Sequence, residues 1–282
     1  MSDLQLAILG GGGHMGRALV AGLLRSGTRP ERIGIGESSE EARRVLASEL
    51  GVTATPDNAR AVDGAAVVVV AVRPQDAGTV LEAVSPLLRA QRPLVLSIAA
   101  GVRIATLEAW CGEGVPVMRA MPNRAALVGA GATALYAPPS VSAAQRAAAE
   151  HIARGVGGLV WVSEEDHLDV VTALSGSGPA YFFLLAECMA EAAEELGLAP
   201  PVARILAAAT LHGAGVLAHS GVTDLARLRA EIASPGGTTE AALEVLTSGG
   251  LRQVVERALA AAARRARELG AQAAHRPVSG SR

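Results

Sequence analysis

Leu4-Gln5-Leu6-Ala7-Ile8-Leu9-Gly10-Gly11-Gly12-Gly13-His14-Met15-Gly16-Arg17-Ala18-Leu19-Val20-Ala21-Gly22-Leu23-Leu24 begins as an apolar run, turns through glycines and continues in a helical apolar pattern. Gly11, Gly13 and Gly16 keep the G-x-G-x-x-G spacing. The first such glycine permits a tight turn, the second lets a pyrophosphate reach the backbone, and the third lets helix pack on strand. Alone the spacing says little. Between a strand and a helix it reads as a dinucleotide loop, with Gly12, His14 and Met15 inside it. A structural glycine turn is the alternative.

Outward from this loop, strand and helix patterns alternate. Strands are expected at Leu4–Leu9, Arg32–Gly36, Ala65–Val72, Pro93–Ile98 and Val115–Arg119, with a weaker one at Ala132–Ala137. The unbroken apolar run Ala65–Val72 fits a central parallel strand covered on both faces. Helical patterns at Arg17–Ser26, Ser39–Leu50, Gln75–Leu88 and Ile104–Cys111 lie between the strands. Such alternation predicts an α/β class fold, a doubly wound parallel sheet with right-handed crossovers.

After about Val162 only helical patterns remain. Ala180–Leu196 puts Glu187, Glu191, Glu194 and Glu195 on one face, while Val202–Ala218 is apolar nearly all round. A helix that apolar is buried on most sides. The helical part has little interior of its own, so chain–chain association is the economical solution. The tail from Ala271 reads as frayed or disordered.

Composition narrows the chemistry. The chain has 282 residues and a formal net charge of −2, with no nucleic-acid or membrane-surface footprint. No run approaches roughly eighteen consecutive apolar residues, and Met1-Ser2-Asp3-Leu4 lacks the basic start of a signal peptide. Cys111 and Cys188 are far apart and read as small hydrophobes in a reducing cytoplasm. There is no lysine, which rules out Schiff-base and lysine acid/base catalysis. The histidines show no metal-like clustering, so no metal site is expected.

Ser234-Pro235-Gly236-Gly237-Thr238-Thr239-Glu240 is a tight loop opening a helix. Its backbone N–H groups converge at the positive end of a helix dipole, which suits an anion; an ordinary capped helix start remains the alternative. Three loops follow strand ends: Ala71-Val72-Arg73-Pro74-Gln75, Ser97-Ile98-Ala99-Ala100-Gly101 and Arg119-Ala120-Met121-Pro122-Asn123. Each offers small residues against which a flat nicotinamide can lie, or is simple turn chemistry. Ser175-Gly176-Ser177-Gly178-Pro179-Ala180-Tyr181 reads equally as a helix junction or a ligand contact. Glu37 falls about 20 residues past Gly16, where an acidic side chain holds ribose hydroxyls and repels a 2′-phosphate. Ser38, Ser39, Arg43 and Arg44 beside it favour that phosphate, so both NAD and NADP are expected.

Together these motifs resemble the pyrroline-5-carboxylate reductase family over about residues 5–270. The resemblance implies a Rossmann domain at 1–163, a helical substrate-binding and dimerisation domain at 164–270 and a tail at 271–282. It implies an oxidoreductase acting on a CH–NH bond, reducing 1-pyrroline-5-carboxylate to proline with NADPH or NADH. It further implies a cytoplasmic homodimer or homodecamer that binds neither nucleic acid nor membrane. Carried residue by residue, Glu165, Ser234, Gly236, Gly237, Thr238 and Thr239 bind substrate, the N–H groups of Gly237, Thr238 and Thr239 holding its carboxylate. Thr239 is the candidate catalytic group at the ring nitrogen. Gly11, Gly12, Gly13, His14, Met15, Gly16, Glu37, Ser38, Asn58, Ala71, Val72, Arg73, Pro74, Ala99, Ala100, Gly101, Pro122 and Asn123 bind the cofactor. The chain departs from the family pattern at His14 (usually Asn), Arg73 (usually Lys) and Arg124-Ala125 (usually Thr-Pro). Three other classes compete with this reading. A β-hydroxyacid dehydrogenase would rely on a catalytic lysine that is lacking. The others are a non-catalytic dinucleotide-binding regulator and a reductase of a related, larger cyclic imine.

Overall fold

Four consecutive valines, Val67–Val70, are buried at every position, as a strand covered on both faces requires. They lie inside an eight-stranded sheet in the computed structural model, which describes residues 4–221 and 224–274. The strands are β1 (Leu6–Leu9), β2 (Ile33–Gly36), β3 (Ala54–Thr55), β4 (Val67–Val70), β5 (Leu94–Ser97), β6 (Val117–Met121), β7 (Gly131–Tyr136) and β8 (Gly157–Trp161). Their spatial order is β3-β2-β1-β4-β5-β6-β7-β8. The chain builds outward from β1 in one direction, returns, and builds from β4 in the other. The β1/β4 boundary is therefore the switch point at which open α/β sheets bind ligands.

The strands from β1 to β6 are parallel, as expected, but β7 is antiparallel to β6 and β8 runs parallel to β7. The reason is connection length. A parallel crossover needs a dozen or more residues, whereas β6 and β7 are joined by a short 3₁₀ turn at Arg124–Val128. The small strand β3 and the edge strand β8 are additions to the expected set.

Helices α1 (His14–Arg25), α2 (Glu40–Leu50), α3 (Asn58–Val62), α4 (Pro74–Gln91), α5 (Ile104–Cys111) and α6 (Ala143–Arg154) connect these strands. Side-chain alternation divides the core between the two faces of the sheet. Leu6, Ile8, Val67 and Val69 pack with Leu19, Leu23 and Ile152, while Ala7, Leu9, Val68 and Val70 pack with Leu81, Leu88 and Leu107.

After Trp161 every element among the described residues is helical: α7 (His167–Val171), α8 (Gly178–Glu195), α9 (Pro200–His219), α10 (Leu225–Ile232), α11 (Thr238–Ser248) and α12 (Leu251–Ala274). A single π turn, Thr172–Gly176, joins α7 to α8. Packing divides the chain into two compact units. The sheet unit takes the described residues up to Gly176 and from Ala262 on; the helical unit is Ser177–Ala261. Ala271–Ala274, expected to fray, form the last turn of α12, whose Ala273 is buried in the sheet unit's core. The rest of the expected tail, with His275, and Met1-Ser2-Asp3 lie outside the described residues.

Within the helical unit, α8 and α9 pack together yet leave Phe182, Phe183, Leu184, Ile205 and Leu206 more than half exposed. The stretches His167–Glu195 and Pro200–His219 are long and apolar enough to cross a membrane by length and composition, although neither contains an unbroken apolar run of that length.

Candidate active site

The glycine loop is shaped by what a Cβ would strike. Gly10 turns the chain at φ +82°, and a Cβ there would lie 2.7 Å from Val72 Cγ1. One on Gly11 would meet Ile35 Cγ2 at 2.4 Å, and one on Gly16 would meet the Gly10 carbonyl oxygen at 2.3 Å. These glycines are demanded by the fold. Gly13 is different: a Cβ there would meet only the Gly10 oxygen, at 3.5 Å. Among the described residues nothing else comes within 4 Å of that point, which leaves a cradle open to a phosphate. Gly13 is also the N-cap of α1 and offers the first-turn N–H groups no side-chain acceptor. Donors without intrahelical partners thus face the opening. His14 beside them is exposed, and Met15 packs against the core.

Glu37 follows β2 and closes over the same loop. Its Oε2 accepts from the Gly12 N–H at 2.9 Å, and its Oε1 accepts from the Ser39 N–H at 2.9 Å. Arg43 donates through Nη1 to the carbonyl oxygens of Glu37 and Ser38, each at 2.8 Å. Asn58 begins α3 opposite Gly36, whose missing Cβ would lie 2.2 Å from Asn58 Oδ1. Glu37, Ser38 and Asn58 are thereby gathered at the end of β2, as the Rossmann reading expects. Arg44 faces away to Glu40, 3.3 Å distant.

Ala71 and Val72 lie against Gly10, and the Ala71 N–H donates to the Leu9 carbonyl oxygen at 2.8 Å. Arg73 caps α4, its exposed guanidinium 2.8 Å from Asp76 Oδ2, and Pro74 takes the first helical position. Ala99 is held by its own strand end, donating to Ser97 Oγ at 3.3 Å. Asn123 is a brace: its amide nitrogen donates to the Ser175 carbonyl oxygen at 3.0 Å, and its oxygen accepts from the Ala132 N–H at 3.1 Å. Gly176 allows close approach to Met121, since a Cβ there would lie 2.8 Å from Met121 Cε. The Ser175–Tyr181 motif thus acts as a junction on the strand-end loop through Ser175 and Gly176.

In the helical unit, Ser234–Thr239 forms the expected tight turn. Gly236 adopts φ +69° and Gly237 caps α11. The Gly237 N–H, expected to hold a carboxylate, donates instead to the Ser234 carbonyl oxygen at 2.9 Å. The Gly236 N–H donates to Glu240 Oε2 at 2.7 Å. The N–H groups of Thr238 and Thr239, in the first turn, have no intrahelical acceptor and remain as anion donors.

Residues 165–269 match the family model described as pyrroline-5-carboxylate reductase dimerisation, and residues 5–101 match that described as NADP oxidoreductase, coenzyme F420-dependent. The chain is 42% identical to the pyrroline-5-carboxylate reductase of Pseudomonas aeruginosa over 272 residues, covering 96% of this chain and 99% of that protein. The chain belongs to the pyrroline-5-carboxylate reductase family. The Coxiella burnetii family member matches with a TM-score of 0.90 and 42% identity, over 95% of this chain and 98% of that one. The Plasmodium falciparum pyrroline carboxylate reductase, solved with NADP bound, matches with a TM-score of 0.82 and 26% identity, over 96% and 99% of the two chains.

One group of this reductase-family chain escaped sequence reasoning. Arg119, buried in β6, donates to Glu165 Oε1 at 2.8 Å, and the Ile104 N–H donates to the same oxygen at 2.8 Å. Glu165, expected to bind substrate, therefore fastens the start of α5 to the sheet. Asp169 is 1% exposed, lies 3.5 Å from Arg103 Nη2 and 3.8 Å from Arg267 Nε, and has a second oxygen, Oδ1, without a hydrogen bond. Burial pushes its carboxyl above the usual range, opposed by Arg103. Arg103 also pairs with Asp166, which holds that carboxyl low. The available signal was a lone arginine inside the apolar strand Val117-Met118-Arg119-Ala120-Met121. A buried charge of that kind calls for a partner.

Proposed function

We propose that this chain reduces 1-pyrroline-5-carboxylate to L-proline with NADPH or NADH, as the last step of proline biosynthesis. The observation that carries this is near-full-length similarity to proteins named for that reaction, combined with an intact Ser234–Thr239 loop. The glycine cradle fits a dinucleotide: Gly13 and the first turn of α1 hold its pyrophosphate, while Glu37, Ser38 and Asn58 face its ribose. When bound, the reduced nicotinamide supplies the hydride that the imine carbon receives.

The protein's own part is binding, orientation and one proton. The N–H groups of Thr238 and Thr239, at the positive end of α11, hold the substrate carboxylate. Thr239 Oγ1 hydrogen-bonds the ring nitrogen and relays a proton from water as the C=N bond becomes a secondary amine. A protonated cyclic imine is electrophilic enough to need neither a covalent intermediate nor a lysine. The loops Ala71–Pro74, Ala99–Gly101 and Pro122–Asn123 orient the nicotinamide. A homodimer built on α8 and α9, alone or within a higher homo-oligomer such as a decamer, is the assembly we infer, and the dimerisation-model match supports its homo-oligomeric part. Two unpaired cysteines, one buried, fit a reducing cytoplasm.

Cofactor use and activity are tested together. NADH and NADPH absorbance is followed on adding pyrroline-5-carboxylate, with proline assayed as product. Glu37, held over Gly12, disfavours a 2′-phosphate and Arg43 favours it, so kcat/KM for the two cofactors should agree within about a hundredfold. No cofactor oxidation with this imine would defeat the proposal. A larger NADPH bias would show that Glu37 swings off Gly12 when the cofactor binds.

A further inference from the structure

We propose that Gly270 and Arg267, on the last turns of α12, are positioning residues for the loop Ala99–Gly101, and that Asp169 fastens them there. This rests on the functional reading above, which gives that loop to the nicotinamide.

The contact is backbone on backbone. A Cβ on Gly101 would lie 2.6 Å from the Ala266 carbonyl oxygen and 2.8 Å from Gly270 Cα. One on Gly270 would lie 2.0 Å from the Gly101 carbonyl oxygen. Gly101 itself sits at φ +77°, where any side chain is strained. The buried positions of this part of α12 are Ala263, Ala266, Gly270 and Ala273, a helical stripe without bulk. Elsewhere the loop is pinned at both ends, by Ser97 Oγ at Ala99 and by Glu165 at Ile104. Between those pins, Gly101 meets the backbone of α12. Asp169 is the second, independent fastening. Its buried carboxylate lies between Arg103, which caps α5 immediately after the loop, and Arg267 of α12.

An element placed on a loop from outside the ligand pocket acts by preorganising it. Displacing that loop costs cofactor affinity before it costs folding. Gly270→Ala puts a methyl group where backbone already lies. Arg267→Ala removes one fastening from an exposed side chain without disturbing the core. NADH affinity is read by fluorescence titration, together with kcat, KM and a thermal melt on each sample.

We expect Gly270→Ala to raise the Kd and KM for NADH about tenfold, with a smaller change in kcat. Arg267→Ala should raise Kd about threefold, and Arg267→Lys should restore most of the affinity, because the charge near Asp169 returns. A Gly270→Ala protein that melts earlier but binds NADH as tightly as the wild type overturns the inference. If Gly270→Ala does not fold, the Arg267 pair decides: equal NADH affinity in Arg267→Ala and wild type overturns it. A wild type that neither binds NADH nor reduces the imine overturns the functional reading, and this inference with it. A wild type that does both while the variants match it overturns this inference alone.

Discussion

Thr239 is the second residue of α11, half-buried behind a turn whose Gly236 and Gly237 N–H groups are already committed. If its hydroxyl bonds the ring nitrogen mainly in the transition state, Thr239→Ala lowers kcat more than it raises KM. One hydrogen bond to a charged partner is worth about 1.5–3 kcal/mol, or roughly 10- to 150-fold in rate. Thr239→Ser keeps the hydroxyl and most of the activity. A Thr239→Ala enzyme that melts earlier with its kcat intact would remove Thr239 from the mechanism. Cys111 gives a prediction of another kind. It is fully buried, and burial pushes its thiol up from the ordinary 9.0 to about 12. The folded state therefore keeps a proton that the unfolded chain gives up first. Its contribution to stability is present below pH 9 and is lost as pH climbs from about 9 towards 12. At pH 8, maleimide should spare Cys111 until urea unfolds the protein, as read by peptide mass spectrometry. Native labelling of Cys111 would refute its burial.

At the scale of the element, the strand–loop–helix unit β1–α1 separates glycines the fold needs from one, Gly13, that its packing does not demand. Gly16→Ala forces a methyl group against the Gly10 and Gly11 backbone, an overpacking that costs about 1–3 kcal/mol. It should melt several degrees lower whether or not cofactor is present. Gly13 sits at φ −67°, which alanine adopts freely, with open space beside it. Gly13→Ala should stay within about 1 kcal/mol of wild-type stability yet bind NADH at least roughly tenfold more weakly. Tight NADH binding by Gly13→Ala would mean that the cradle is not the pyrophosphate seat. The spacing, set between an apolar run and a helical pattern, made these glycines legible, because each demand is local to one turn. Glu165 was not legible in the same way. Its partners, Arg119 and the Ile104 N–H, are dozens of residues away and meet it only because α7 packs beside β6.

For the whole molecule, the exposed side chains Phe182, Phe183, Leu184, Ile205 and Leu206 are the decisive fact. Two adjacent helices offering this much apolar surface call for a cover. Residues 165–269 match a dimerisation model, which makes a second copy the fitting cover. Sedimentation at micromolar concentration should give at least twice the 28.5 kDa of one chain. A stable, active monomer would sink that expectation. Glu187, Glu191, Glu194 and Arg204 line the groove between these helices, and Arg204 Nε lies 3.5 Å from Glu194 Oε1.

Sequence by itself determined the dinucleotide loop, the parallel strand succession through β6, the Ser234–Thr239 turn, the lack of any lysine chemistry and the apolar excess of α9. Each depends on spacing, periodicity or composition within a short window, where backbone geometry is set by near neighbours. Only the tertiary structure decided which groups those motifs leave free. It turned Glu37 onto Gly12, gave Glu165 to Arg119 and α5, and reversed β7 where the connection was too short to cross over. It also seated Gly270 on Gly101, a contact between residues 169 positions apart that no local pattern encodes. The division is physical: dihedral preferences act along the chain, whereas hydrogen-bond partners and backbone contacts are allotted by packing between segments distant in sequence.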